Sequence, residues 1–309
     1  MMPANSTNEV SPLWTNIVSN TAWTLDSFRK PGNINSRFAA WEPRELSLRW
    51  YRTFLNLAFV TSSDTVKDWY AELGANLDLG KPVVNDVIHK GKRFSVNLDY
   101  LMAFEEAEFI SRERERESEI RSVCEVGAGF GRLAHVLLLL HKEIEQYIII
   151  DLPEVLKLSQ QYLQMVLPSI DFEKLLFVQP NQIPHELLEP DKSDLAIQVD
   201  GLQEMTVESL ERYFLLFSNS RTFYSKNVVA KYLPSHAGLE IPASSAPLSL
   251  GRSLEICDVW NIADLESCHM KHLDSYKPEC HEIVFSRLDR LFPHYCSFVS
   301  KRNVSRSDS

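Results

Sequence analysis

Residues 122–140 read Ser-Val-Cys-Glu-Val-Gly-Ala-Gly-Phe-Gly-Arg-Leu-Ala-His-Val-Leu-Leu-Leu-Leu, and residues 147–151 read Tyr-Ile-Ile-Ile-Asp. Ser122 to Val126 and Tyr147 to Ile150 are short apolar runs of strand length. Gly127, Gly129 and Gly131 lie between them as a tight turn, and Arg132 to Leu140 carries helix-forming residues with an apolar bias. The stretch is therefore a strand, a glycine turn, a helix and a second strand. The alternation continues downstream. Pro153 opens a helix that runs to Leu167 and is closed by Pro168. Strands are expected over Lys174 to Val178, Asp194 to Val199 and Arg221 to Ser225, with a helix from a Thr206 cap to about Phe217 between the last two. His281 to Leu288 and Cys296 to Lys301 add two late strands. The expected fold is α/β, a mostly parallel seven-stranded sheet with an antiparallel last strand and an α-helical N-terminal region.

The glycine turn points to a nucleoside ligand. Glycines let the backbone turn sharply and approach a ligand closely. The helix that follows presents unpaired N–H groups and a positive dipole end. Asp151, at the carboxyl end of the second strand and 20 residues after Gly131, is placed to accept hydrogen bonds from a ribose diol. Dinucleotide sites use Gly-x-Gly-x-x-Gly, whereas this run is Glu-x-Gly-x-Gly-x-Gly, with Glu125 two positions before the first glycine. A carboxylate there repels a pyrophosphate and pairs with an ammonium. The cofactor-binding set read from the sequence is Glu125, Gly127, Gly129, Gly131, Asp151, the adjoining Leu152, and Gln179 just past the third strand. Ligands of such sheets bind at the carboxyl ends of the strands, which is where Asp200 also falls.

The 309 residues allow one large or two modest domains, and 44% apolar content is enough for a substantial core. A net charge of −10 makes the chain a poor non-specific partner of nucleic acid. Five cysteines in a chain of this length argue against a disulfide framework, and Cys124 is expected as a buried thiol. The first twenty residues lack a basic region followed by an apolar run, and Val136 to Leu140, the longest apolar stretch, is far too short to span a bilayer. A cytoplasmic protein with no membrane partner is expected.

Residues 1–117 are expected to form the helical N-terminal region, for substrate, lid or dimerisation, and residues 118–309 the nucleotide-binding domain with an insertion at about 228–280. A homo-oligomer is compatible with this layout. Arg112 to Glu117 alternates in sign and marks the boundary. Pro43 to Phe59 reads as a helix with Leu46, Trp50, Phe54 and Leu57 at helical spacing. Asp64 to Leu77 reads as another. Lys90 to Asn97 reads as a basic turn before a helix that ends near Arg112. The dense N-terminal aromatics, Trp14 among them, form a small core or line a sugar or small-molecule pocket.

Cys-Glu-Val-Gly-Ala-Gly-Phe-Gly at 124–131, Tyr-Ile-Ile-Ile-Asp-Leu-Pro-Glu at 147–154, Gln-Glu-Met at 203–205 and Phe-Tyr-Ser-Lys-Asn at 223–227, with Gly80-Lys81-Pro82 before them, resemble a family of sugar O-methyltransferases. The resemblance implies a Rossmann-like methyltransferase fold, S-adenosyl-L-methionine as cofactor, and methyl transfer to a hydroxyl of a sugar, glycan or other small-molecule acceptor. An N- or C-methyltransferase of a natural product and a non-catalytic scaffold are the alternatives. The chain departs from the pattern at Gly201 and Leu202, where the resemblance implies a serine and an aromatic. A base must take the proton of the attacking hydroxyl, and the candidates are Glu204, Asp200 and His236. Asp200 and Glu204 offer oxygen ligands to a divalent metal, but two acids are not a metal signature. Cys268, His269, His272, Cys280 and His281 do not have zinc-finger or ribbon spacing, so no metal site is assigned.

Overall fold

Strand residues alternate between two faces, and here both faces are apolar, as a parallel sheet covered on both sides requires. Val123, Tyr147, Ile149, Leu195, Ile197 and Tyr224 enter one buried cluster, and Cys124, Ile148, Ile150, Ala196 and Phe223 enter the other. The computed structural model describes residues 10, 14, 15, 18, 19, 48–73, 84–114, 119–202, 205, 207–228, 269, 270, 272–289 and 295–303. The sheet strands are β3 (Ser122–Val126), β4 (Gln146–Ile150), β5 (Leu175–Val178), β6 (Leu195–Val199), β7 (Thr222–Val228), β8 (His281–Leu288) and β9 (Tyr295–Arg302). Their order is β5-β4-β3-β6-β7-β9-β8. Pairings from β5 through β7 are parallel, and β9 runs antiparallel to both β7 and β8. This is the mostly parallel seven-stranded sheet expected from the sequence.

The first face is covered by α3 (Leu98–Arg114), α4 (Arg132–Leu140) and α5 (Pro153–Val166), through Phe104, Leu133 and Leu163 among others. The second is covered by α7 (Val207–Asn219) and a helical stretch at 272–276, through Phe217, Leu273 and Tyr276. A one-turn helix, α6 (Ser169–Phe172), follows α5. No helix among the described residues is long and apolar enough to cross a membrane.

The N-terminal region departs from the sequence reading in two places. Helices α1 (Leu48–Thr61) and α2 (Asp64–Leu73) form, but α1 buries Leu55, Ala58 and Phe59, while Leu57, expected on the apolar stripe, is 53% exposed. The expected basic turn is instead a hairpin, β1 (Asn85–His89) and β2 (Lys92–Val96). Lys90 and Gly91 both have positive φ, 48° and 76°, as a two-residue hairpin turn requires. The alternation Val87, Phe94, Val96 pins the ribbon to α1 and α2, with the Phe94 ring 5.6 Å from Phe59 and 5.9 Å from Tyr70. The charges of Lys90, Lys92 and Arg93 obscured that period of two. Asn97 then caps α3, its Oδ1 accepting from the Tyr100 N–H at 2.9 Å. The boundary at 117, most of the 228–280 insertion and Gly80-Lys81-Pro82 lie outside the described residues.

Candidate functional site

The chain steps outward from β3 to β4 to β5, then crosses to β6 on the other flank of β3. The connections leave β3 and β6 in opposite directions, which opens a crevice at their carboxyl ends. A cavity fills this crevice. Glu125, Gly127, Gly129, Asp151, Leu152 and Asp200 of the sequence-derived set line it. Gly131 and Gln179 do not, although Pro180 beside Gln179 does. Glu204 and His236 lie outside the described residues.

The glycine turn is left-handed at alternate positions, with φ of 77°, 59° and 92° at Gly127, Gly129 and Gly131. Gly127 N–H donates to the Ile150 carbonyl at 2.9 Å, which ties the turn to the end of β4. Asp151 is fixed by the same turn. Its Oδ2 accepts from Gly129 N–H at 3.0 Å and its Oδ1 from Leu152 N–H at 2.8 Å. Burial pushes its carboxyl up to about 7, against the lowering effect of those two bonds. Gly131 serves packing, because a Cβ there would sit 2.7 Å from the Leu163 side chain of α5.

Glu125 is 3% exposed and shares the sheet face with Val123. Tyr147, one strand over, donates its hydroxyl to Glu125 Oε2 at 2.7 Å. Burial pushes Glu125 up to about 7, while the Tyr147 bond and the nearby Arg132 charge act in the lowering direction.

At the β6 end, Asp200 adopts φ of 52°, a conformation that costs a non-glycine residue roughly 1 kcal/mol. Its N–H donates to the Lys226 carbonyl at 2.7 Å, and its Oδ2 accepts from the Tyr295 hydroxyl at 3.1 Å. The fully buried amides of Gln198 and Asn227 contact each other beneath this loop. In the orientation that satisfies its neighbours, the Gln198 amide oxygen accepts from the N–H groups of Gly201 and Leu202 at 2.6 and 3.1 Å. A Cβ at Gly201 would come within 2.7 Å of the same amide, so glycine suits this position where the family resemblance implies serine.

Sequence reading missed the charged wall of the cavity. Glu106 on α3, Arg132 at the start of α4 and Lys226 on β7 all line it. Glu106 Oε1 accepts from Arg132 Nη2 and from Lys226 Nζ, each at 3.1 Å. Neither end of these pairs stood out in the sequence, since Glu106 sits beside Glu105 and near Glu108 in α3, and Lys226 lies between Ser225 and Asn227 in β7. Tyr295 gave no signal either. Of the N-terminal aromatics, Trp14 lines the cavity, and so does Met102 of α3. Among the described residues, no group of three or more His, Cys, Asp or Glu side chains is placed to hold a metal ion.

No family model matches the chain, and no curated protein matches it. Among solved structures, the methyltransferase domain of bacterial CtHen1 is similar over 64% of this chain and 97% of its own, at 17% identity and a TM-score of 0.40. The glycopeptide N-methyltransferase MtfA, complexed with S-adenosyl-L-methionine, is similar over 64% of this chain and 93% of its own, at 14% identity and a TM-score of 0.40. Magnesium protoporphyrin IX methyltransferase from Synechocystis PCC 6803, with bound SAH, is similar over 83% of this chain and 100% of its own, at 16% identity and a TM-score of 0.40.

Proposed function

We propose that this chain is an S-adenosyl-L-methionine-dependent O-methyltransferase that acts on a hydroxyl of a sugar or another small molecule. One observation carries the reading: a left-handed glycine turn and the Asp151 carboxylate are bonded to each other at the lip of a crevice whose other walls bear Glu125 and Glu106. Those acids suit an adenosine ligand with a cationic head and disfavour a pyrophosphate. When bound, the cofactor supplies a methyl group on a positively charged sulfur.

The chain's own residues do the rest. Asp151 has one N–H on each oxygen, which leaves lone pairs on both for a ribose diol. Gln179 and Pro180 are assigned to the adenine end. Asp200 takes the proton of the attacking hydroxyl, and the Tyr295 hydroxyl holds that carboxylate in place. Residues 1–117, through Trp14 and Met102, contribute the acceptor end.

Calorimetric titration with S-adenosylhomocysteine tests the reading. Wild type binds, and Asp151→Ala loses on the order of 2 kcal/mol, tens-fold in affinity. A folded wild type that does not bind overturns the proposal and favours the scaffold. Product analysis after an acceptor screen separates oxygen from nitrogen or carbon transfer.

A further inference from the structure

Glu106 lines the cavity, and one of its carboxylate oxygens has nothing to bond. Glu106 is 1% exposed. Its Oε1 is shared by Arg132 and Lys226, while its Oε2 is buried without a hydrogen-bond partner. Buried polar atoms are normally paired, and one on a side chain that lines a cavity invites a donor from a ligand. The two cations are themselves held in place. Arg132 Nη1 donates to the Asp99 carbonyl at 2.8 Å, and Lys226 Nζ also lies 3.6 Å from Asp289 Oδ2. The wall therefore presents both signs of charge within one small region. A bare cation would meet Arg132 and Lys226, and a bare anion would meet Glu106 and Glu125. A zwitterion, with an ammonium and a carboxylate on one carbon, fits both.

We propose that Glu106 Oε2 accepts a hydrogen bond from the ammonium of an α-amino-acid head, and that Arg132 and Lys226 take the carboxylate of the same head. The inference rests on the cofactor reading above and assigns the end of the ligand opposite its adenosine. Arg132 and Lys226 thereby act twice, since by occupying Oε1 they also fix which oxygen of Glu106 is presented.

Four ligands on the full chain test the assignment: S-adenosylhomocysteine, its analogue without the amino group, its analogue without the carboxylate, and 5′-methylthioadenosine, which lacks the whole head. Wild type prefers S-adenosylhomocysteine to each truncated ligand by about tenfold or more. Glu106→Gln loses S-adenosylhomocysteine affinity by a similar factor yet binds the deaminated analogue and 5′-methylthioadenosine as wild type does. Lys226→Met is an independent second variant. It loses S-adenosylhomocysteine and the deaminated ligand but keeps the decarboxylated one. Circular dichroism establishes that each variant is folded. Equal losses for all four ligands, or no loss for any, overturn the assignment while leaving the cofactor reading intact. If wild type binds none of the four, the cofactor reading itself fails.

Discussion

Glu125 and Tyr147 show how one residue sets a pH response. The carboxyl has an ordinary value of 4.5 and is held at about 7 by burial. The folded protein thus carries a proton on Glu125 that the unfolded chain has released. The contribution to stability is present at low pH and is lost as pH rises through about 7. Relative to Glu125→Gln, the ligand-free wild type should lose about 1.4 kcal/mol between roughly pH 6 and pH 8, measured by urea denaturation. Tyr147→Phe removes the donor that favours the ionised form, so it should move that loss to higher pH. Asp151 is raised in the same way, and a cationic ligand favours ionised carboxylates. Cofactor binding should therefore release protons near neutral pH, read as a binding enthalpy that changes with the ionisation enthalpy of the buffer. At this scale the sequence was partly legible. Glu125 and Asp151 stood out because acids flanked a glycine run. Lys226 and Tyr295 did not, because their place at the cavity depends on β7 and β9 lying side by side, which no local pattern states.

Elements have their own sensitivities. Gly131 joins the turn to α4, and the missing Cβ gives Leu163 of α5 its space. Gly131→Ala should cost about 2 kcal/mol or more, from left-handed backbone strain plus overpacking. Adding Leu163→Ala should recover only the steric share. Gly91→Ala, with φ of 76° and nothing within 4 Å, should cost about 1 kcal/mol, from backbone strain alone. Chemical denaturation of the three variants separates the two terms. Asn97→Ala removes the cap of α3 and should cost about 1 kcal/mol. Strands β3 and β8 and helix α4 fall on their expected residues, because each is an uninterrupted pattern bounded by a turn signal. The β1–β2 hairpin was not legible, because charge at its turn outweighed the alternation of its strands. The face of α1 was not legible either, since its stripe is chosen by the hairpin and α2 that pack against it.

The molecule as a whole binds its N-terminal helices into the sheet. A single apolar cluster runs from Leu55, Val66 and Tyr70 through Phe104 and Leu133 to Tyr147, Tyr224 and Val299. The Phe109 ring lies 5.6 Å from Tyr224, and Arg132 ties α4 to Glu106 of α3. Heating should therefore produce one cooperative transition, and residues 118–309 expressed alone should fail to give a sharp one, since the outer surface of α4 would meet water. Two calorimetric transitions in the full chain would contradict this. The sheet order places β9 between β7 and β8, so the strand made last of the three is an inner one. A ribosome delivers β7 and β8 first; β7 can pair with β6, but its other edge, and β8 altogether, wait until residues 295–302 have emerged. Throughout that interval both carry unpaired edges, and Asp200 lacks Tyr295. A nascent chain of this protein is therefore exposed to mispairing until β9 emerges, and a chaperone would matter most in that interval.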